Sequence, residues 1–421
     1  MSEWLAIILF FIAYYFIIFK KEKASVTTFL IGLMIGLLKI GDLKIENASE
    51  FIDFNTISLL IGMMIIVSIL KSTGFFQFVA VKIVKISRSN IYKLLFFLYS
   101  IIFLFSAFLD NVTTIILFTP IILLICDSAE IDPKPIIFLA IISSNIGGLS
   151  TLIGDPPNIL IGSAAKISFI EFIKNMFLPS IIAFLLISFF IIKRIKFPKH
   201  VNSKLNDFIQ IEPSTLITDK KLMKKSILTF AIVVTGFVIH EYVDYELSLI
   251  ALTGAAFLLL LSNKNFETIS KDIEWDTIFF FIGLFSITYA LEIIGLTNFI
   301  ANQFLYSNLS EVSIVIFIFI ISFFLSGFVG AVPSTMILIP VVQKLIFNGL
   351  SYNLWWAIAL GAGFGGNLTP VGAASNIVGL SLLEKHQQKH INFFEYLKTI
   401  IIPLSFSFFI AIIYLVVKEL L

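Results

Sequence analysis

Ser143-Ser144-Asn145-Ile146-Gly147-Gly148-Leu149-Ser150-Thr151-Leu152-Ile153-Gly154-Asp155-Pro156-Pro157-Asn158 sets helix breakers, amides and a carboxylate inside an otherwise apolar run. A second polar cluster, Asp110-Asn111-Val112-Thr113-Thr114, stands some thirty residues before it, again flanked by apolar sequence. Ionised groups and unwound backbone are costly in hydrocarbon, so at such places they mark a binding site or an ion path.

The flanking composition makes that the relevant medium. Of 421 residues, 58% are hydrophobic and only 13% charged, and the mean hydropathy is +1.02. A soluble domain carries about 25% charged residues, so the chain reads as a polytopic membrane protein. Its 47 phenylalanines suit surface that faces lipid. The single cysteine, Cys126, excludes an internal disulfide framework. His200, His240, His386 and His390 all lie near segment ends and do not suggest a histidine metal centre. Residues 1–19 carry Glu3, no basic leader and no small-residue cleavage site, and read as a first membrane helix.

A spanning helix needs about 20 apolar residues, or fewer with tilt and long flanking side chains. Candidate spans are 4–19, 26–40, 57–70, 91–107, 109–126, a broken element over 134–165, and 175–192. They continue with 226–240, 247–262, 276–291, 311–326, 328–346, a broken element over 354–382, and 398–417. Residues 74–88, with Lys82, Lys85 and Arg88, read as an amphipathic helix in the membrane interface.

The pattern occurs twice. Ile52-Asp53-Phe54-Asn55-Thr56-Ile57 matches Ile273-Glu274-Trp275-Asp276-Thr277-Ile278, and Gly62 matches Gly283. Ser106-Ala107-Phe108 matches Ser326-Gly327-Phe328, and Pro120 matches Pro340. Gly147-Gly148, Thr151, Gly154 and Asn158 match Gly365-Gly366, Thr369, Gly372 and Asn376. The offset drifts only from 218 to 221. Residues 1–195 and 226–421 are therefore two repeats, joined by a lysine-rich linker over 196–225. Each has an odd number of crossings, so the second must insert upside-down, as in many secondary transporters. With both termini outside and the linker cytoplasmic, 23 of the 29 basic residues fall on the cytoplasmic side.

Asp110 and Asp155 are the only acids read as lying deep in the membrane. The plainer role of Asp155 is to cap a helix that opens on Pro156-Pro157. The second copy, however, makes the same break with Gly372-Ala373-Ala374-Ser375 and no acid. The plainer role of Asp110 is to turn a hairpin, which Gly330 does in the second copy while Ala331 replaces Asn111. Neither acid has a lysine or arginine nearby in sequence, which leaves Na⁺ or a proton as the natural partner, with Asp110, Asn111 and Asp155 the candidate Na⁺ ligands. Thr113, Thr114, Asn145, Thr151, Asn158, Ser334, Thr335, Asn367, Thr369, Ser375 and Asn376 add oxygens and amides suited to a hard cation or a small anion. Helix starts near Pro156 and Ala374 would point positive dipole ends inward. Gly361-Ala362-Gly363-Phe364-Gly365-Gly366 looks like a nucleotide loop but follows no βαβ pattern. The glycine pairs have a plainer reading in close helix packing.

Ser106 to Thr114, Asn145 to Asn158, and Gly365-Gly366-Asn367-Leu368-Thr369-Pro370-Val371-Gly372-Ala373-Ala374-Ser375-Asn376 together resemble the ion transporter superfamily. That group includes arsenite permeases, sodium/proton antiporters, and citrate and divalent-anion symporters; the motifs resemble most closely the branch of arsenite permeases and the melanosomal P protein. The resemblance covers nearly the whole chain. It implies that 91–126 and 311–346 are re-entrant hairpins with tips near Asp110 and Gly330, leaving about ten spans besides two hairpins and two broken helices. It further implies a substrate site between tips and breaks, an elevator-type motion and a homodimer. Antiporter-like members tend to repeat the Asp-Asn pair in the second hairpin, and divalent-anion symporters carry Ser-Asn-Thr at both tips; this chain has neither pattern.

The leading expectation is an all-α plasma-membrane secondary transporter that moves a small anion with Na⁺ or H⁺. A Na⁺/H⁺ antiporter is the alternative. Neither a resident cofactor nor a nucleic-acid partner is expected. An intramembrane aspartyl protease would also use two deep acids, but Leu152-Ile153-Gly154-Asp155 lacks the Gly-x-Gly-Asp stretch of such enzymes.

Overall fold

Long apolar runs punctuated by Asp, Asn, Ser, Gly and Pro can satisfy their backbone in lipid only as helices, and the chain is helical throughout. A computed structural model describes residues 2–421 apart from 21–22, 41–42, 89, 199–200, 203–204 and 206–211; much of the expected linker thus lies outside the described residues. The first half forms α1 (Ser2–Phe19), α2 (Ala24–Leu37), α3 (Phe54–Lys71), α4 (Phe75–Ile86), α5 (Ile91–Ser106), α6 (Asn111–Ala129), α7 (Lys134–Leu149), α8 (Pro156–Ala165) and α9 (Phe169–Arg194). The second half forms α10 (Lys220–Val243), α11 (Leu247–Ser262), α12 (Trp275–Ile293), α13 (Leu296–Leu305), α14 (Glu311–Val329), α15 (Ala331–Phe347), α16 (Leu354–Gly365), α17 (Ala374–Gln387) and α18 (Phe393–Leu420). Single-turn helices at Ala48–Phe51 and Phe266–Ser270 precede α3 and α12. Seven of these helices are long and apolar enough to cross a membrane: α3, α6, α9, α10, α12, α14 and α18.

The helices run past the hydrophobic spans read from sequence. The run that begins near residue 175 by hydropathy starts at Phe169, because Ser168 Oγ accepts the Glu171 N–H at 3.2 Å. Asn392 likewise starts α18 by accepting the Glu395 N–H at 2.8 Å, and Asp219 starts α10 by accepting that of Leu222 at 2.9 Å. Each cap satisfies a helix-start donor that would otherwise lack a partner.

Packing crosses between the halves. α2 lies on α12 and α3 on α11. The α3 contact is close: a Cβ on Gly62 would stand 2.8 Å from the Ala251 carbonyl carbon. α7 and α16 form the centre; every residue from Ile136 to Leu149 and from Leu354 to Gly365 is buried. A helix apolar on all sides belongs inside protein. α5 seats against α7 at Gly147 and α14 against α16 at Gly365, where an added Cβ would meet Phe103 O at 2.3 Å and Phe323 O at 2.2 Å. Finally, α6 packs on α17 and α15 on α8, so each hairpin's returning limb meets the broken helix of the other half.

Candidate binding site at the hairpin tips and helix breaks

Four helices begin at one place. α6 starts after Asp110, α8 after Asp155, α15 after Gly330 and α17 after Ala373. Their first turns, with residues from α1, α2, α3, α12 and α16, surround a cavity of about 380 Å³. That size is in the range of small-ligand pockets.

The two first-half starts carry carboxylates. Asp110 Oδ1 accepts the Thr113 N–H at 2.7 Å, and Thr114 Oγ1 donates to Asp110 O at 3.0 Å. Asp155 occupies the cap position of α8, where its carbonyl accepts the Asn158 N–H at 3.0 Å but its carboxylate accepts nothing from that helix and lies beside the Asn111 side chain. Both acids are half-buried and face the cavity. The second-half starts carry no side-chain cap. Gly330 has φ +110°, in the region that favours glycine. Ala331 and Val332, and Ala374 and Ser375, begin their helices uncapped along the cavity wall.

Behind this wall, amides and hydroxyls close on one another. Asn145 Nδ2 donates to Asn367 Oδ1 and to Asn376 Oδ1, both at 2.8 Å, and Ser375 Oγ donates to Asn145 Oδ1 at 2.6 Å. Asn158 Nδ2 donates to Gly148 O at 3.0 Å and Thr151 O at 2.8 Å. Asn376 Nδ2 donates to the equivalent pair, Gly366 O at 2.7 Å and Thr369 O at 2.9 Å. Thr151 Oγ1 donates to Ala107 O, and Thr369 Oγ1 to Gly327 O. Tyr396 OH donates to Asn367 O at 2.9 Å, and Ser106 Oγ donates to Asn111 Oδ1 at 2.6 Å. These bonds hold the unwound backbone at each break, whose carbonyls have lost their helical donors. Ser334 and Thr335 donate back to Ala331 O, at 2.9 and 2.8 Å.

Of the residues singled out from sequence, Asp110, Asn111, Asn145, Asp155 and Ser375 line the cavity. Thr113, Thr114, Thr151, Asn158, Ser334, Thr335, Asn367, Thr369 and Asn376 stand in the layer behind it. Sequence reasoning missed Glu274 and Asp276, which line the cavity beside Thr277 and Ser25. Glu274 accepts from Thr277 Oγ1 at 3.0 Å, and Asp276 from Ser25 Oγ at 3.3 Å. The signal was present in the alignment of Glu274-Trp275-Asp276-Thr277 with Asp53-Phe54-Asn55-Thr56, but acids at a helix start are common and nothing in the sequence marked these as facing a cavity. Among the described residues the cavity wall holds four carboxylates and no lysine, arginine or histidine.

A second cavity, of about 550 Å³, contains Asn55, Thr56 and Leu59, the repeat equivalents of Asp276, Thr277 and Phe280. Its wall includes Lys166 and His240; His240 Nε2 accepts the Phe169 N–H at 3.3 Å.

A citrate transporter family profile matches residues 14–361 and 304–421. An uncharacterised transporter of Mycobacterium bovis is 34% identical over 86% of each chain. The 46 kDa membrane protein of Mycobacterium leprae is 32% identical over 94% of this chain and 93% of its own. The P protein of Mus musculus is 29% identical over 89% of this chain, which spans 55% of that longer protein. Among solved structures, the YdaH transporter of Alcanivorax borkumensis aligns over 86% of this chain and 85% of its own. Its TM-score is 0.57 at 14% identity, a likeness of fold.

Proposed function

The chain belongs to the citrate transporter family and is a membrane permease, not an enzyme; from that premise we propose that it is a secondary transporter moving a small carboxylate-like anion together with Na⁺ or H⁺. The observation that carries the reading is the division of charge around one cavity. Both first-half starts carry a carboxylate, Asp110 capping α6 and Asp155 standing at the start of α8 without a side-chain cap bond, whereas the second-half starts at Gly330 and Ala373 carry none. An uncapped helix start offers N–H groups and a positive dipole end to an anion. The cation belongs on Asp110, Asn111 and Asp155, whose negative charge repels the anion until it is neutralised. That order of loading is the coupling. Each charge moved across 100 mV supplies about 2.3 kcal/mol.

In this reading the repeats 1–195 and 226–421 are inverted, the protein sits in the plasma membrane as a homodimer, and the 196–225 linker is cytoplasmic. Ser25, Glu274 and Asp276 then place the mouth of the 380 Å³ cavity on the cytoplasmic side, with the second cavity on the outer side. Alternating access carries the tips from one vestibule to the other.

A second reading draws on the four carboxylates and the lack of any basic lining residue. A Na⁺/H⁺ antiporter needs only acids that exchange the two cations. Proton flux after a Na⁺ jump in proteoliposomes separates the two, run with and without citrate, succinate and arsenite, beside Asp110→Asn. Flux that appears only with one anion, and is lost in the variant, supports the coupled anion transporter. Na⁺-driven proton flux without any anion overturns it in favour of the antiporter.

A further inference from the structure

We propose that α4 is a docking surface for anionic lipid headgroups, and that the lipid bound there holds the joint between α3 and the Asp110 hairpin. Four observations carry this.

The first is charge. Between Phe54 and Leu109 the chain has Lys71, Lys82, Lys85, Arg88 and Lys93 and no acid. The equivalent stretch after Trp275 has no lysine or arginine until Lys344. α13, the repeat counterpart of α4, is polar through Thr297, Asn298, Asn302 and Gln303 but uncharged.

The second is the absence of a carboxylate partner among the described residues, Lys82 lying instead over the Phe78 ring of its own helix, 5.6 Å from the centroid. Among the described residues, other bases do meet carboxylates, among them Lys71 with Asp272 at 3.6 Å and Lys134 with Glu395. No described carboxylate pairs with Lys82, Lys85 or Arg88.

The third is position. α4 buries Phe76, Ala80, Ile83 and Val84 against the protein, leaving Lys82 and Ile86 exposed and Phe78 and Lys85 half-buried. The chain on either side of it touches the linker. At the start, Thr218 donates its N–H to Thr73 O at 3.0 Å and its hydroxyl to Ser72 O at 2.9 Å. Just past the end, the Ile91 N–H donates to Asn202 Oδ1 at 3.2 Å. A helix flanked on either side by contacts to a hydrophilic linker lies along that face, where a mixed apolar and basic stripe fits an anionic headgroup layer.

The fourth is linkage. Phe75 and Phe76 meet the Phe105 ring, at centroid distances of 5.9 and 5.3 Å, five residues before Asp110. Fixing α4 therefore fixes the hairpin that carries the acid.

The test counts lipids retained by the full-length protein in native mass spectrometry, after exposure to equal phosphatidylglycerol and phosphatidylcholine. Lys82→Gln/Lys85→Gln/Arg88→Gln is compared with wild type. Wild type is expected to retain phosphatidylglycerol about threefold or more over the variant, and soluble glycerol phosphate is expected not to displace it. Equal retention in the two proteins overturns the proposal, and so does full displacement by glycerol phosphate. If the triple variant does not fold, wild type alone decides. Raising salt from about 0.1 to about 1 M shortens the screening length to about 3 Å and is expected to abolish the preference; a preference unchanged by salt overturns it. Retention is read without transport, so its outcome stands apart from that of the proposed function.

Discussion

The two hairpin tips do the same mechanical work with opposite chemistry. Gly330 ends one limb and begins the next within a single residue, whereas the first hairpin turns over Ala107 to Asp110. Asp110 holds φ −62° and turns its carboxylate onto the Thr113 N–H; Gly330 holds φ +110° and has nothing to turn. The two turns thus differ in backbone as well as in charge. Gly330 shows that a turn at such a place can be made without an acid. Removing it therefore tests function more than folding. Asp110→Asn keeps an acceptor for Thr113 and is expected to leave the thermal midpoint within a few degrees of wild type. A charged contact is worth about 1.5–3 kcal/mol, so cation-driven flux in proteoliposomes is expected to fall about ten- to a hundredfold. Flux that survives would make Asp110 a turn residue after all.

Making the tips alike from the other side is the next largest effect. Gly330→Asp places a carboxylate at the bare start of α15 and a side chain at a backbone angle that favours glycine. A Cβ there comes no nearer than 3.6 Å to any neighbour, meeting Pro333 Cδ and Cγ and the Gly372 carbonyl oxygen, so the cost is conformational and not crowding. That strain is about 1–3 kcal/mol. Gly330→Ala carries the strain without the charge. Both variants are expected to melt lower by similar amounts, while only the aspartate raises the apparent KM for the anion, by about tenfold or more. A similar KM in the two would detach the anion from this helix start.

Much of this arrangement was legible before any coordinates, for a physical reason. A carboxylate or a glycine pair inside twenty apolar residues is expensive in lipid, so Asp110, Asp155 and the two breaks announce themselves, although α7 continues through Gly147-Gly148 to Leu149 and α16 through Gly365 before the backbone unwinds. Glu274 and Asp276 did not announce themselves, because acids at the cap position and first turn of a helix are ordinary there whether or not a cavity lies beyond them. The asparagines pointed the right way with an unspecified role. Residue type says that an amide can bind, but only geometry says that both Nδ2 hydrogens of Asn145, Asn158 and Asn376 are already taken. Helix ends escaped hydropathy for a related reason. Ser168, Asp219 and Asn392 extend helices through polar turns that no hydrophobic window includes.

Asn145 sharpens the comparison because it ties the two halves together across the site. Its amide spans α7, the Asn367 turn and α17, and its repeat equivalent, Gly363, has no side chain to do the same. Asn145→Ala leaves Asn367 Oδ1, Asn376 Oδ1 and the Ser375 hydroxyl short of a partner in the buried centre. One such loss costs about 1–3 kcal/mol. A lower midpoint by several degrees and a several-fold slower flux are expected, read by thermal unfolding and proteoliposome uptake. Gly363→Ser, which adds a hydroxyl at the equivalent place, is expected not to rescue it, because a Cβ there would stand 2.7 Å from Leu149 Cδ1. Rescue would mean that the halves can exchange this role.

The smallest effect belongs to Glu274, and it asks whether the acid set extends beyond the tips. Glu274 stands at the start of α12, which packs on α2 and carries neither tip nor break. It is half-buried and already accepts from Thr277. Solvent at the mouth screens its field, so its pull on a cation at Asp110 is worth about 1 kcal/mol or less. Glu274→Gln is expected to raise the apparent KM for the coupling cation about two- to fivefold at unchanged maximal rate. The shift should shrink as ionic strength rises. Asp53→Asn, at the equivalent position beyond the other cavity, is the control and is expected to leave that KM unchanged. A loss of maximal rate in Glu274→Gln would instead make it a third obligate carboxylate, and the charge division between the two tips would no longer account for coupling by itself.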